Sequence, residues 1–394
     1  MLRLLTFTTL YPNSEAPYHG VFVENRLRNL VATGEAESRV VAPVPYFPFK
    51  GRFFGAYGGY ARVAPQEHRH GITIAHPRYT VIPKVGMSLA PGSLARVGLR
   101  AIREVMAAGY DFDLIDAHYF YPDGVAAVAI AEALGKPVTI TARGTDINLI
   151  PQYPRPRAMI LDAARRADGM ITVCQALKDE MVQLGIDGDK IVPLRNGVDL
   201  DLFRPGDRSA ARAKYGLTRT TLLSVGHLIP RKAHDLVIEA LIHLSDADLL
   251  IAGDGPEESN LKALTARLGL EPRVRFLGRL EHADLPELYG AADVMVLASS
   301  REGWANVLLE SMACGTPVVA SDVWGTPEVV AAPEAGRLMK SRTPEALAAA
   351  ARDLLANLPD RPATRSYAEG FGWEQTSRGQ LALFREVLAR RASR

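Results

Sequence analysis

The stretch EGWANVLLE, residues 302–310, lies in a segment whose pattern predicts loop, helix and strand in turn. It continues through SMACG (311–315), an apolar run that a glycine ends, and then TPVVAS (316–321), whose β-branched residues predict a buried strand. We expect a helix before that strand, with Asn306 as its N-cap and Gly315 just past its C-terminus. This order is typical of a parallel α/β sheet.

Two carboxylates bracket this stretch. Glu302 lies in the predicted loop and Glu310 on the predicted helix, so they do not share a helical face. The N–H groups at a helix N-terminus suit a phosphate, and a carboxylate on the helix can accept hydrogen bonds from vicinal hydroxyls, as acidic residues do with ribose. The alternative is structural, with Glu302 closing a loop and Glu310 solvated. The apolar neighbours of Glu310 favour partial burial, where a carboxylate needs partners.

The composition is that of a globular protein with more than one domain. The chain has 394 residues, of which 47% are hydrophobic and 23% charged, and a net charge of +2. That charge is no nucleic-acid footprint, so we expect no nucleic-acid partner. The two cysteines, Cys174 and Cys314, lie in apolar sequence and indicate a reducing compartment.

Targeting signals are not evident in the sequence. The N-terminus lacks a secretory signal, and no apolar run is long enough to span a bilayer. We expect a cytoplasmic protein whose only membrane contact would be peripheral, at the inner face of the membrane.

The first residues begin a doubly wound α/β sheet. Residues 2–10 predict a strand, 22–30 a helix and 39–43 a second strand. Gly20, before the helix, permits either the close approach of a ligand or a simple turn. No G-x-G-x-x-G motif follows the first strand, which disfavours a dinucleotide-dependent oxidoreductase.

Polar residues follow two further strands of this half. His118 ends the predicted strand 114–118, and Arg143 and Asp146 follow the predicted strand 137–142. Ligands of open α/β sheets bind beyond the carboxyl ends of strands. These three residues are therefore candidate site residues, although a lone histidine is often structural.

Residues 43–60 combine aromatic and basic side chains with four glycines. The aromatic residues are Tyr46, Phe47, Phe49, Phe53, Phe54, Tyr57 and Tyr60, and the basic residues are Lys50 and Arg52. We expect the glycines to prevent a helix and the aromatic rings to fold back onto the domain. The alternative is a lipid-facing surface at a membrane interface.

The strand and helix pattern restarts after Asn196-Gly197, which indicates a crossing between domains. We expect an N-terminal domain at 1–198, a C-terminal domain at 199–372, and a C-terminal helix within 373–394 that packs back on the first domain. The predicted fold class is α/β, with two tandem doubly wound Rossmann-like domains and a cleft between them.

A basic loop, HLIPRK (227–232), follows the first strand of the second half. Lys232 and Arg231 could neutralise a diphosphate there, although a solvated lysine is the usual case. Together with the two carboxylates, the loop predicts a nucleotide-sugar site. Phosphates would lie on Lys232, ribose on Glu310, and the sugar near Glu302.

The chain resembles the retaining GT-B glycosyltransferases of family 4, which include many bacterial polysaccharide and lipid glycosyltransferases. The likeness rests on Glu302-x7-Glu310 followed by ACGTPVVAS (313–321), and it runs over nearly the whole chain. Other matching segments are GVFV (20–23), RGTD (143–146), NGVD (196–199), 226–235, AGDGP (252–256), 274–278 and WGTPE (324–328).

The resemblance implies a donor, an acceptor and a stereochemical outcome. The C-terminal domain would bind a UDP-, GDP- or ADP-linked sugar, and the N-terminal domain would bind a saccharide or lipid-linked acceptor. The sugar would move to an acceptor hydroxyl with retention of anomeric configuration, with no metal and no cofactor required. Such a reaction belongs to polysaccharide or glycolipid synthesis.

By the same resemblance, Lys232 is the diphosphate lysine, Glu310 the ribose-binding acid and Glu302 the acid near the donor sugar. Backbone N–H groups near Asn306 and Val307 would hold sugar or phosphate.

Four positions need separate comment. His118 matches a histidine often found near the donor sugar. His227 stands where an arginine is common, so Arg231 or His227 is the second candidate cation. Ala233 replaces a frequent glycine. Arg143 stands where a histidine is frequent, and we place Arg143, with Asp146, on the acceptor and sugar side.

Two other functions fit this architecture. One is a sugar-nucleotide epimerase or a hydrolase of activated sugars. The other is a non-catalytic subunit that binds a nucleotide sugar. The joint presence of Lys232, Glu302, Glu310 and His118 argues against the second, since a site that binds without turnover would be expected to have lost one of them.

Overall fold

The computed structural model describes residues 1–81 and 86–393, which divide into two compact units. Unit 1 comprises Met1–Asn196 and the segment that begins at Glu374, and unit 2 comprises Gly197–Trp373. The chain therefore leaves unit 1 after Asn196 and returns to it for its last helix.

Unit 1 is a mainly parallel sheet with helical connections. Its strands are β1 (Leu2–Phe7), β2 (Ala36–Val41), β3 (Val44–Pro45), β4 (Gln66–Arg69), β5 (Ile72–Ala75), β6 (Arg78–Tyr79), β7 (Leu114–His118), β8 (Val138–Ala142), β9 (Gly169–Thr172) and β10 (Ile191–Pro193). Its helices before the crossing are α1 (Val21–Ala32), α2 (Gly55–Arg62), α3 (Ala90–Ala107), α4 (Val125–Leu134), α5 (Thr145–Asn148), α6 (Pro154–Arg166) and α7 (Gln175–Gln183). The main sheet has the order β10-β9-β8-β7-β1-β2-β5-β4, with β4 antiparallel to β5.

Unit 2 repeats the pattern with six parallel strands. They are β11 (Thr220–Val225), β12 (Ala247–Ala252), β13 (Val274–Gly278), β14 (Val294–Leu297), β15 (Val318–Ser321) and β16 (Gly336–Met339). Its helices are α8 (Arg208–Lys214), α9 (His234–Ala240), α10 (Glu258–Arg267), α11 (Leu285–Ala291), α12 (Asn306–Ala313), α13 (Thr326–Val329), α14 (Pro344–Ala356) and α15 (Arg361–Glu369). The last helix of the chain, α16 (Trp373–Ala392), lies in unit 1 from Glu374 onward.

The strand order of unit 2 places a switch point at its centre. The sheet runs β13-β12-β11-β14-β15-β16, so the chain winds outward in one direction from β11 and in the other from β14. Loops at such a point diverge and leave a crevice beyond the carboxyl ends of the strands, which is where open α/β sheets bind ligands. The loops after β11 and β14 carry Lys232 and Glu302.

Helix α12 confirms the predicted order of elements but shifts one boundary. The N-cap is Ala305, and Asn306 is the first helical residue, so the prediction of Asn306 as the cap was wrong by one position. At the other end, Gly315 has φ +80° and donates to the Met312 carbonyl at 2.8 Å. Thr316 donates to Ser311 at 3.0 Å, which completes a Schellman motif.

The glycine-rich segment departs from the sequence-based expectation. Residues 55–62 form α2 despite three of the glycines, and Gly58 lies so close to the Gly51 carbonyl that a Cβ there would stand 2.3 Å from its oxygen. The expected fold-back of the rings is wrong for most of them. Phe53 is 97% exposed, whereas Phe47 and Tyr60 are partly buried.

In the described part of the chain, no helix combines the length and apolar character that crossing a bilayer requires.

Candidate active site

The loops after β11 and β14 are joined directly to each other. Ser300 donates its backbone N–H to the Arg231 carbonyl at 2.9 Å, and the Arg231 guanidinium donates to the Arg301 carbonyl at 2.9 Å. Strands β11 and β14 are hydrogen-bonded neighbours, so these contacts extend the sheet pairing into the loops. Arg231 is therefore a bridge between the two loops as well as a candidate cation.

Lys232 and Glu302 form the central ion pair of the site. The Lys232 Nζ lies 2.6 Å from Glu302 Oε1, and Arg231 approaches the same oxygen at 3.5 Å. Burial alone would raise the pKa of Glu302, but Lys232 and Arg231 outweigh it and hold that pKa below its usual range. Glu302 is 7% exposed, so an ionised carboxylate is kept here by two cations from the neighbouring loop.

The backbone beneath Lys232 takes unusual conformations. Ala233 has φ +51°, a left-handed conformation that costs a residue with a Cβ free energy. Gly226 has φ +153° and lies under the aliphatic stem of Lys232, which is 3.6 Å from the position a Cβ would take. Both residues help the loop present the Lys232 amine towards Glu302.

Glu310 has two partners that the sequence did not suggest. Tyr289 of α11 donates its hydroxyl to Glu310 Oε2 at 3.0 Å, and His282 Nε2 lies 3.6 Å from Oε1. The hydrogen bond to Glu310 raises the pKa of His282. Glu310 is thus a partly buried, partnered carboxylate rather than a solvated helix residue. The position of His282 beyond the carboxyl end of β13 was a signal for its role that we did not use.

Asn306 and Val307 occupy the first two positions of α12, four residues after Glu302. The positive end of the helix dipole lies at these positions, so the N-terminus of α12 is suited to an anion. The site thus combines a helix start, two cations and two carboxylates in one unit.

His227 lies at the margin of this group. Its Nδ1 is 3.7 Å from Asp254 Oδ1, and Arg279 Nε is 3.6 Å from the same oxygen. All three side chains are about half exposed. They follow β11, β12 and β13, so polar side chains also occur at strand ends farther from the switch point.

In unit 1, His118 is completely enclosed. Its Nδ1 accepts from Arg143 at 2.7 Å, and its Nε2 lies 3.1 Å from Asp116 Oδ2. Burial lowers the pKa of His118, with Asp116 opposing and Arg143 reinforcing the shift. The ring is therefore neutral and uses both nitrogens within the protein. A catalytic role for His118 stays a prediction.

Arg143 belongs to a buried polar network. Its NH1 donates to Asn196 Oδ1 at 3.2 Å, and Arg26 approaches the same oxygen at 3.4 Å. Burial lowers the pKa of Arg143 to about 9, and the charge on Arg26 acts in the same direction. Two buried guanidinium groups thus lie close together beside Asp116.

Asp146 connects two loops through hydrogen bonds. Its carboxylate accepts backbone N–H groups from Phe120 at 2.6 Å, Arg143 at 3.1 Å and Gly144 at 2.7 Å, so it joins the loops after β7 and β8. Asp123, which the sequence reasoning missed, accepts from the Thr9 N–H at 2.5 Å and ties the loop after β1 to the same edge.

At Gly20, the close approach is made by the chain itself. Gly20 has φ +73°, and a Cβ there would lie 2.3 Å from the Leu10 carbonyl. A turn glycine therefore explains this position, and ligand contact at Gly20 stays a prediction.

Clusters of three or more His, Cys, Asp or Glu side chains with metal-binding spacing do not occur among residues 1–81 and 86–393.

Comparison with known proteins extends over both units. A family model described as "Glycosyltransferase Family 4" matches residues 32–202, and one described as "Glycosyl transferases group 1" matches residues 207–371. The D-inositol 3-phosphate glycosyltransferase of Frankia alni is 32% identical over 354 residues, which cover 81% of this chain and 85% of the relative.

Solved structures share the fold. Sucrose-phosphate synthase from Thermosynechococcus elongatus superposes with a TM-score of 0.79 at 20% identity, over 99% of each chain. Anabaena HepE, solved in complex with UDP-glucose, superposes with a TM-score of 0.72 at 21% identity over 100% of each chain.

Two Rossmann-like units, each built on a mainly parallel sheet, give the chain the GT-B fold of its solved neighbours. The chain belongs to glycosyltransferase family 4. The predicted fold and family are confirmed, and the chain is a glycosyltransferase rather than an epimerase or a binding subunit.

Proposed function

We propose that this glycosyltransferase binds a nucleoside-diphosphate sugar in unit 2 and transfers the sugar, with retention of configuration, to a hydroxyl of an acceptor that unit 1 binds. The observation that carries the proposal is the contact between Lys232 and Glu302 across the switch point of unit 2. It brings a cation for a leaving diphosphate next to an acid for a sugar.

The proposed chemistry is electrostatic. Lys232 and Arg231 stabilise the negative charge that develops on the departing diphosphate, together with the N-terminus of α12. The acceptor hydroxyl attacks the anomeric carbon from the face that the diphosphate leaves, and its proton passes to the leaving group. Because the protein's own cations supply this charge, we propose that turnover needs no divalent metal and no cofactor.

The remaining site residues have proposed roles in binding. Glu310 accepts the ribose hydroxyls, and its bonds to Tyr289 and His282 fix its orientation. Glu302 accepts hydroxyls of the donor sugar while Lys232 engages the diphosphate. Asn306 and Val307 supply backbone N–H groups to the phosphate or sugar, and His227 is a second cation at the margin.

The solved structures and the relatives that the chain resembles support a proposal for the donor nucleotide and for the acceptor. HepE of Anabaena has been solved with UDP and with UDP-glucose, which favours UDP among the UDP, GDP and ADP series. The relatives named D-inositol 3-phosphate glycosyltransferase favour a polyol or saccharide acceptor. We propose a role in polysaccharide or glycolipid synthesis, in which the acceptor is either a free or a lipid-linked saccharide.

A ligand screen tests the donor. Because a ligand that binds only the native state stabilises it, the correct nucleotide should raise the melting temperature, and the matching sugar nucleotide should raise it further. The protein is heated with UDP, GDP or ADP and then with their sugar conjugates. A screen in which no nucleotide changes the melting temperature would contradict donor binding.

Replacement of Lys232 tests the catalytic assignment. We expect Lys232→Met to lower turnover by about 10²–10³-fold, since a preorganised charge at the leaving group is lost. The measurement is release of nucleoside diphosphate with and without acceptor, at matched folded protein. Lys262→Met is the control, because Lys262 is an exposed lysine of the same unit paired with Glu258. Equal turnover in the two variants would overturn the role of Lys232.

A further inference from the structure

The exposed apolar side chains of this molecule are concentrated in one part of unit 1. Eight of the thirteen large hydrophobic side chains that are exposed among the described residues lie between positions 46 and 89. They are Tyr46, Phe49, Phe53, Phe54, Tyr57, Val81, Met87 and Leu89, and we call them the apolar surface. Single exposed apolar residues are normal, whereas a concentration of them marks an interaction site.

The rings of this surface pack on one another. Phe47 lies at the centre, with its ring centroid 5.5 Å from those of Phe54 and Tyr57 and 5.9 Å from that of Phe49. Phe53 packs edge-on against Phe54 at 5.8 Å and is 97% exposed itself. The cluster holds its outer rings in place and leaves the tip of Phe53 in solvent.

The two segments that supply the apolar surface leave the fold side by side. Strands β3 and β6 pair in parallel, with Val44 opposite Arg78 and Pro45 opposite Tyr79. Tyr46 then donates its N–H to the Tyr79 carbonyl at 2.7 Å. One segment continues directly from β3 and the other from β6, so both emerge in the same direction.

That direction is the carboxyl edge of the unit 1 sheet. The parallel pairing of β2 with β5 runs on into β3 and β6, because Ala42 donates to Ala75 and Val44 to Pro77. The segment after β8, which carries Arg143 and Asp146, begins at the same edge. The apolar surface is therefore on the side of unit 1 where we propose that the acceptor binds.

The two segments that supply this surface carry no acidic residue of their own. No Asp or Glu occurs in residues 38–66 or 76–103, in a chain with 44 acidic residues. Arg62 is neutralised by Glu15 at 2.6 Å. Lys50 and Arg52 are exposed next to the rings, and neither forms an ion pair with another residue that the structure describes.

We propose that the apolar surface docks unit 1 onto an anionic lipid bilayer, with Phe53 and its neighbouring rings at the interface and Lys50 and Arg52 on the lipid headgroups. Amphipathic aromatic rings favour the headgroup level of a bilayer, and basic residues add attraction to anionic lipid. A soluble protein partner would not require the surrounding sequence to exclude acidic residues. Docking would bring the acceptor side of unit 1 to a lipid-linked saccharide, and this last step rests on the proposed function.

Vesicle binding by the full chain tests the proposal. The protein is sedimented with vesicles of phosphatidylcholine and phosphatidylglycerol in equal parts, and with vesicles of phosphatidylcholine alone, without donor or acceptor. We expect binding to the anionic vesicles that weakens as salt is raised. Phe53→Ser should bind about tenfold more weakly, because most of an aromatic side chain no longer leaves water.

Two further variants separate the sources of binding. Ile242→Ser removes an exposed apolar residue of unit 2 and should bind like the unaltered protein. Lys50→Glu combined with Arg52→Glu should remove the preference for anionic vesicles. The proposal is overturned if the unaltered protein does not sediment with anionic vesicles, or if Ile242→Ser loses as much binding as Phe53→Ser.

The same samples distinguish other outcomes. Self-association through the apolar surface, seen as a larger sedimenting species without vesicles that Phe53→Ser abolishes, would replace the bilayer with a second copy of the chain. Because no nucleotide is present, vesicle binding is independent of glycosyl transfer. A protein that binds vesicles but releases no nucleotide from any donor would refute the proposed function and leave the docking surface standing.

Discussion

Glu302 illustrates how a single charge is held in the interior. Burial disfavours its ionised form, yet Lys232 and Arg231 lower its pKa, so its contribution to stability is present above the pKa of an unfolded glutamate. That contribution is lost as pH falls through the lower, folded pKa. Removing one partner of a buried pair leaves the other uncompensated, which is why Lys232 variants must be compared at equal folded fraction.

The loss of stability at acid pH should depend on His234. Burial lowers the pKa of His234 from 6.5 to about 4, and the charge on Lys232 acts in the same direction. Between these values the unfolded chain binds a proton that the folded chain does not, so stability falls as pH drops. The full effect corresponds to about 3 kcal/mol. His234→Gln should flatten this fall.

Urea unfolding between about pH 7 and pH 4 measures the effect. His243→Gln, which replaces an exposed histidine of the same unit, should keep the slope of the unaltered protein. An unchanged slope in His234→Gln would show that other groups dominate the loss of stability at acid pH.

At the scale of single residues, the sequence identified the charged residues of the site but not their hydrogen-bond partners. Lys232, Glu302 and Glu310 could be predicted, because their chemistry and their place after strands suit a nucleotide sugar. The hydrogen bond from Tyr289 to Glu310 could not, since it depends on how α11 packs beside α12. The contact between His118 and Arg143 was equally hidden, because one residue ends β7 and the other follows β8.

Among the elements, the end of α12 is predicted to be sensitive to a single methyl group. Gly315→Ala places a Cβ at φ +80° and 3.1 Å from Arg361 Cβ. We expect a loss of about 1–3 kcal/mol in the free energy of unfolding, from backbone strain and from crowding against α15. Chemical denaturation measures this loss.

Gly269 provides the matched control. It ends α10 of the same unit with the same motif, in which Gly269 donates to Ala266 and Leu270 to Thr265, both at 3.0 Å. A Cβ there meets no atom within 4 Å. Gly269→Ala should therefore lower the free energy of unfolding only by the contribution of backbone strain. A loss in Gly315→Ala no greater than in Gly269→Ala would rule out crowding by Arg361.

The boundaries of elements were predictable to about one residue where apolar patterning and glycine signals agreed, as at α12. The prediction that no helix forms at α2 was wrong, because it relied on the low intrinsic helix propensity of glycine. There, Gly58 packs on the Gly51 carbonyl and the aromatic rings pack on one another, contacts that a helix propensity does not include.

In the whole molecule, α16 is bound to unit 1 through buried polar contacts. Gln380 donates to Asp116 at 3.1 Å and accepts from Arg26 at 3.0 Å, and all three side chains are buried. We expect Gln380→Ala to cost about 2–4 kcal/mol, because it leaves two buried charged groups short of a partner and opens a cavity. Hydrogen exchange of unit 1 and chemical denaturation measure the loss.

Arg385 of the same helix is the control. Its ion pair with Glu35 is about half exposed on both sides, so Arg385→Ala should change stability by less than about 0.5 kcal/mol. Similar losses in the two variants would mean that the buried network contributes little and that helix packing alone holds α16.

The return of the chain to unit 1 has a consequence for its synthesis. Leu381, Phe384 and Val387 of α16 belong to the same apolar core as Leu4 and Val40 of the first two strands. Unit 2 is contiguous and can close as soon as residue 373 has left the ribosome, whereas unit 1 must wait for the final helix with its core uncovered. The part of the protein that is made first is thus the last to be finished. A nascent chain halted between the two events is the form in which this enzyme would most need a chaperone.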